Sequence, residues 1–365
     1  MARLLMILAL VLLSVGAPGG AVRAQDKVVN FYNWSDYIDP KVLERFTAET
    51  GIKVQYDVYD SLETLEGKML AGKTGYDVIV PTNEPTFSRL IAAGALQPLD
   101  RAKIPNLANL DPKLMARVAS SDPGNKFGAI YLWGTVGLGM IPELIKPLAP
   151  DAPMTSWDLL LKPANAKRLA KCGITLMDSA IDTIPSVLRY LGHDPASTSA
   201  SDLADVEKTL MAIRPYIRTF VSGGAIEALA AGQTCLAMTY SGDVIQAGVR
   251  AAEAKQKPVV YVAPKEFAQV TFDMLAVPKD APHAEDAMKL INFLLQPDVM
   301  AAITNKVRYA NAVPASQPMI EPAIRDDRNI FPTAAQMDTF FTVKAPPQSA
   351  ERARTRMWAR FKAGK

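Results

Sequence analysis

The sequence predicts a two-lobed α/β protein, and three observations carry that prediction. At 365 residues the chain exceeds what one hydrophobic core organises, since single cores stop growing near ~250–300 residues. Short apolar runs alternate with amphipathic helix patterns near the N-terminus, the rhythm of a largely parallel sheet covered by helices. The same rhythm returns from Ile174 onward, with no repeat, low-complexity tract or long linker between. Two lobes whose chain passes between them more than once fit this better than two beads on a string.

The elements follow in order. Residues 1–24 read as an export signal: Arg3 gives the positive start, Leu4 to Val15 the apolar run, and Val22-Arg23-Ala24 a cleavage pattern ahead of Gln25. That run is about a dozen residues, short of the ~20 needed to cross a bilayer. Val28 to Tyr32 then reads as a strand. Asp39-Pro40 opens a helix as cap and first residue, with Val42, Leu43 and Phe46 on one face and Gly51 closing it. Ile52, Val54, Tyr56 and Val58 alternate as a half-buried strand. The spacing of Asp60 and Glu63 predicts a capping box for a helix ending at Gly72, and Tyr76 to Val80 predicts the third strand.

Further strands are expected at Ile174 to Met177, Leu236 to Tyr240, Val259 to Ala263 and Val270 to Val277. Glu285 to Leu295 predicts an amphipathic helix stopped before Pro297. The expected division is lobe 1 over 25–135 and 258–306, and lobe 2 over 136–257 and 307–365.

Composition narrows the function classes. The formal net charge is +3, from 40 basic and 37 acidic side chains. Without Arg3 and Arg23 the balance is 38 against 37, too even for nucleic-acid binding, which needs a clustered basic surface. Two histidines and two cysteines leave little for a metal site. In an exported protein the pair Cys172 and Cys235 is expected as a structural disulfide, restricting the unfolded chain by about 4 kcal/mol on the entropy model. No Cys-x-x-Cys spacing suggests redox chemistry.

Ligands of open α/β sheets sit at the carboxyl ends of strands. Those ends carry Asn33-Trp34-Ser35-Asp36-Tyr37, Pro81-Thr82-Asn83, Asp178 with Asp182, Tyr240-Ser241-Gly242-Asp243, and Thr271-Phe272-Asp273. Aromatics and carboxylates recur and cations do not, which suits a small organic cation: carboxylates hold ammonium groups, and aromatic faces add ~0.5–2 kcal/mol each. Structural readings stand beside these. Asp39 and Asp60 read as helix caps, and Asp178 or Asp182 is either a cap or a ligand contact. Ser241-Gly242-Asp243 also fits a plain turn. Trp133, Trp157 and Trp358 read as core, and His193 and His283 as solvated surface residues.

Asn33-Trp34-Ser35-Asp36-Tyr37-Ile38, followed by a helix and Thr50-Gly51-Ile52-Lys53-Val54, resembles the periplasmic polyamine-binding proteins of ABC importers, and most nearly their putrescine-binding branch. Leu65-Glu66-Gly67-Lys68, Ser156-Trp157-Asp158, Arg214-Pro215, Ser241-Gly242-Asp243-Val244, Tyr309-Ala310-Asn311-Ala312 and Arg354-Thr355-Arg356-Met357-Trp358 match as well, so the resemblance spans the mature chain. It implies two lobes joined by crossover strands and closing on ligand, in the periplasm, with putrescine or another polyamine as ligand and an inner-membrane ABC permease as partner. It implies no enzyme activity, no cofactor and no metal, and a monomer is expected.

Carried over residue by residue, the implied ligand set is Trp34, Ser35, Asp36, Tyr37, Thr82, Asp182, Tyr240, Asp243, Thr271, Asp273 and Tyr309. Thr82 stands where the family has Ser, Asp182 where it has Glu, and Tyr240 where it usually has Trp. Thr271 replaces the family's Phe or Trp, removing one apolar wall. The family disulfide corresponds to Cys172 and Cys235.

Rival classes fare less well. A secreted hydrolase lacks Gly-x-Ser-x-Gly and His-Glu-x-x-His motifs. A ferric-ion binder lacks an adjacent tyrosine pair. A polyamine-responsive sensor for a membrane receptor would use the same binding chemistry with a different partner.

Overall fold

The computed structural model describes residues 27–221 and 225–364; the signal segment expected at 1–24 and its cleavage point lie outside them. The strands in chain order are β1 (Val28–Trp34), β2 (Lys53–Tyr59), β3 (Val78–Ile79), β4 (Leu96–Gln97) and β5 (Gly128–Met140). There follow β6 (Ile174–Met177), β7 (Thr219–Val221), β8 (Leu236–Tyr240), β9 (Val260–Val262), β10 (Gln269–Pro278) and β11 (Ala310–Asn311).

Local chemistry sets the first elements. Asp39 caps the helix Pro40–Thr50 by accepting the Lys41 N–H at 3.1 Å, and Gly51 ends it at φ 70, a left-handed backbone that glycine adopts without strain. The next helix, Leu62–Ala71, corrects the sequence reading. Its cap is Ser61, whose hydroxyl accepts the Thr64 N–H at 3.2 Å, and not Asp60 in a box with Glu63. The helix starts one residue later than the charge spacing suggested, so Asp60 is left to face the cleft. The third strand shrinks to two residues because Asp77 turns its buried carboxylate onto the backbone N–H groups of Asn30 and His283.

The histidines also depart from expectation. His283 places Nδ1 3.0 Å from Asp77, and His193 sits 3.3 Å from Asp205, so each is half-buried and partnered.

The parallel groups β2-β1-β3 and β8-β6-β7 flank an antiparallel central pair, β10 and β5. The sheet is therefore parallel within each lobe and antiparallel where the lobes join. β5 was not legible in the sequence: all thirteen residues are buried, so no alternation marks it. It carries the chain between lobes. Leu132 and Trp133 pack in one core, with Phe31, Phe46, Ile79 and Leu290, while Val136 and Leu138 pack in the other, with Trp157, Leu188, Met238 and Phe361.

The return crossings shift the expected boundaries. Phe267 packs in the second core and Val270 in the first, so β9 and the residues before β10 stay with lobe 2. Pro297 does not merely stop a helix; it opens another, Pro297–Val307, whose Met300 and Ile303 keep the chain in lobe 1. Ile320, Ile324, Ile330 and Met337 remain in that core, and the crossing falls between Phe340 and Phe341. The segment 307–365 is thus shared between lobes. Cys172 and Cys235 are bridged, with Cα atoms 5.5 Å apart, beside the N-terminal ends of β6 and β8.

Candidate functional site

The carboxyl ends of β1, β2 and β3 from one lobe, and of β6 and β8 from the other, face one another across a cleft. It holds an open cavity of ≈ 900 Å³, solvent at its mouth included. Ten of the eleven residues singled out in the sequence line it, Asp182 being the exception.

Lobe 1 supplies the deep end. Asp273 lies on β10 beside a register shift between Phe272 and Met274, a local irregularity that re-aims side chains. Its Oδ2 accepts from the Tyr37 hydroxyl and its Oδ1 from Thr82 Oγ1, both at 2.6 Å. Burial pushes the Asp273 carboxyl up to about 6; the Thr82 and Tyr37 hydrogen bonds oppose this, and the charges of Asp182 and Asp243 reinforce it. Trp34 donates its Nε1–H to the Val80 carbonyl at 3.1 Å and sets its ring 4.6 Å from Tyr59, which fixes one aromatic wall.

Lobe 2 supplies Asp243, in the first turn of the helix Ser241–Glu253. Ser241-Gly242-Asp243 is that helix start and not a free turn. The Tyr309 hydroxyl donates to Asp243 Oδ1 at 2.7 Å. Burial pushes Asp243 up to about 6, with the Tyr309 bond and Arg250 acting against it and Asp36 adding to it. Burial and the nearby carboxylates raise the phenols of Tyr37, Tyr240 and Tyr309 far above their ordinary range, so all three stay protonated and donate. Tyr37 and Tyr309 meet edge to face at 4.8 Å, so two tyrosines link the two acids.

At the mouth, Ser35 and Asp36 are exposed. Asp36 adopts φ 54, which aspartate tolerates, and accepts from Arg250 Nη2 of the other lobe at 2.8 Å. Arg250 also pairs with Glu227. Thr271 lies opposite Gly134 on β5 and contributes a small polar patch of wall.

Asp182 is held behind this surface: both its oxygens are taken by Ser179, Tyr240 and Gln269. Ser179, not Asp178 or Asp182, caps the helix Ala180–Tyr190. Asp178 does line the cavity, but its carboxylate accepts from Trp358 Nε1 at 2.9 Å and Lys362 Nζ at 2.7 Å. Trp133, Trp157 and Trp358 are buried, as expected.

Sequence reasoning missed Tyr59, Asp60, Ser61 and Glu63 on the cavity wall. Tyr59 ends β2 and the others follow it, and the strand-end rule applied to that strand, without the capping-box reading, would have found them. It also missed the need for Gly134, where a Cβ would come within 2.9 Å of Ser241 Oγ and 3.0 Å of the Tyr309 ring.

Known proteins resemble this chain along nearly its whole length. The chain is 46% identical over 359 residues to a putrescine-binding periplasmic protein, SpuD, of Pseudomonas aeruginosa, covering 98% of each. It is 44% identical over 349 residues to the putrescine-binding periplasmic protein PotF of Escherichia coli, covering 95% of this chain and 94% of that one. The solved structure of a spermidine/putrescine ABC transporter substrate-binding protein, PotD, from Streptococcus pneumoniae superposes with a TM-score of 0.75 at 27% identity, covering 93% of this chain and 99% of that one. Residues 41–332 match the family model described as bacterial extracellular solute-binding protein, and the chain belongs to that family.

Proposed function

We propose that this protein captures putrescine or a closely related linear polyamine in the interlobe cleft and delivers it to an ABC permease of the inner membrane. It acts in the periplasm, exported by the segment 1–24, and as a binder without catalysis. The ligand set is Trp34, Ser35, Asp36, Tyr37, Thr82, Tyr240, Asp243, Thr271, Asp273 and Tyr309.

One observation carries the reading: two carboxylates, Asp273 buried and Asp243 half-buried, each oriented by a tyrosine hydroxyl in an aromatic-walled cavity. In a ligand-free cleft those charges are poorly solvated, which is why both acids resist ionisation. A diammonium ligand answers both at once, and Trp34, Tyr37, Tyr240 and Tyr309 enclose its methylenes. A monoamine leaves one buried acid unpaired, at several kcal/mol. Because Asp273 stands with the first lobe and Asp243 with the second, ligand stabilises the closed arrangement that a permease could recognise.

Calorimetric titration with putrescine, cadaverine, agmatine, spermidine and butylamine tests this. Diamines should bind at least about a hundredfold tighter than butylamine, the factor expected from losing one buried pair. Equal binding of butylamine would refute two-point charge recognition. Growth on putrescine as sole nitrogen source, lost on deletion of the gene, separates importer from sensor.

A further inference from the structure

Asp182 is the one carboxylate of the expected ligand set that does not reach the cavity. It is 2% exposed, in the first turn of the helix Ala180–Tyr190. Its Oδ2 accepts from Ser179 Oγ at 2.6 Å and from the Tyr240 hydroxyl at 2.8 Å, and its Oδ1 accepts from Gln269 Nε2 at 2.7 Å. An ammonium reaching those oxygens would compete with Tyr240 and Ser179 at Oδ2 and with Gln269 at Oδ1.

The sheet register explains the arrangement. Gln269 pairs with Val136 and Val136 with Tyr240, so the three occupy neighbouring positions across β10, β5 and β8 and share a face. Asp182 bonds both outer members of that row. The Gln269 amide turns its N–H toward Asp182 although this leaves its Oε1 buried with no partner among the described residues. Tyr240, at the end of the row, lines the cavity, as does Thr271.

We propose that Asp182 is a positioning residue: it anchors the Tyr240 hydroxyl, thereby fixing the aromatic face that discriminates among diamines, and does not itself pair with ligand. The proposal rests on the diamine reading above. It separates geometry from charge in a way a single substitution can read. Asn at 182 keeps an oxygen for Tyr240 and offers an N–H₂ to Gln269 Oε1 once that amide turns, so position survives while charge is lost. Ala at 182 removes both, and Phe at 240 removes the anchored hydroxyl alone.

The test is a double-mutant cycle by calorimetry with putrescine and cadaverine. Asp182→Asn should weaken putrescine by no more than about threefold, while Asp182→Ala and Tyr240→Phe each lose about fivefold or more and narrow the putrescine-to-cadaverine ratio; the double variant should be no worse than the poorer single. A loss of about tenfold or more in Asp182→Asn, or additive losses in the double variant, would overturn the proposal, since a charge acting on the ligand behaves that way. If Asp182→Ala fails to fold, the Asp182→Asn and Tyr240→Phe pair decides by the same criteria. The ligand-free protein gives an independent reading: the Tyr240 hydroxyl proton should be protected from exchange by NMR in wild type and Asp182→Asn. Absence of that protection in wild type overturns the anchoring. Wild type that binds no amine yet shows the protection overturns the diamine reading and leaves Asp182 anchoring Tyr240.

Discussion

The Tyr309 ring lies against Gly242 with no room for a β-carbon between them: a methyl at position 242 would overlap three ring atoms. Gly134 opens the opposite side, and the ring drops into the notch between the two glycines with its hydroxyl on Asp243. Gly242→Ala should therefore push Tyr309 off Asp243 and weaken putrescine by about tenfold or more, with a smaller loss of thermal stability. Calorimetry and a melting curve check this. Unchanged affinity would mean that Tyr309 does not hold Asp243 for the ligand.

The two cleft acids should be separately required. Asp243→Asn and Asp273→Asn are each expected to weaken diamine binding by more than about tenfold, because an ammonium left without its acid costs ~3–5 kcal/mol when fully desolvated. Asp39→Asn should bind as wild type does, since Asp39 only caps a helix and Asn caps equally well. Equal losses at all three positions would show that the cleft has been misassigned.

Binding should depend on pH near 6. Asp243 and Asp273 are each raised to about 6, so both begin to take up protons as pH falls below neutrality. Ammonium groups favour the ionised acids, so affinity should fall as pH drops through 6, and binding at pH 6 should release protons. The sign for stability is opposite. A raised folded-state pKa contributes stability that is present below about 4 and lost as pH rises through about 6. Ligand-free protein should therefore lose this contribution between pH 4 and 7, and saturating putrescine should flatten the slope. Titrations at pH 6 in buffers of different ionisation enthalpy measure the protons; identical heats in all buffers would contradict the linkage.

Arg250 and Asp36 join the lobes across the cleft mouth at 2.8 Å. Both are substantially solvated, so the pair is worth no more than ~1 kcal/mol. Arg250→Met should accelerate putrescine release about two- to fivefold in stopped flow and leave association nearly unchanged. It should also raise the pKa seen in the affinity profile, because Arg250 helps to hold Asp243 down.

Thr271 leaves one wall polar and small. Thr271→Phe should sharpen preference for putrescine by weakening cadaverine, agmatine and spermidine by ~1–3 kcal/mol, the range that a few methylenes of pocket shape supply. Calorimetry on both proteins with all four amines decides this. A wild type already selective by about a thousandfold would remove the premise.

The sequence by itself determined the alternating architecture, the strands Ile174–Met177 and Leu236–Tyr240, the Asp39 cap and about half of the cavity wall. These depend on local periodicity and on the rule that strand ends carry the site, and both are written along the chain. Only the tertiary structure decided the rest. β5 is buried on every face, so it shows no alternation, yet it joins the lobes. Gly134 and Gly242 are meaningful only because Tyr309, distant in sequence, packs onto both. Asp60 and Ser61 exchanged roles through a one-residue shift in where a helix begins. Asp182 is a carboxylate near a strand end like the others, but Tyr240 and Gln269, held level by the strand register, bond its oxygens behind the cavity surface. Which acid faces the cavity depends on distances across three strands, and no local pattern encodes those.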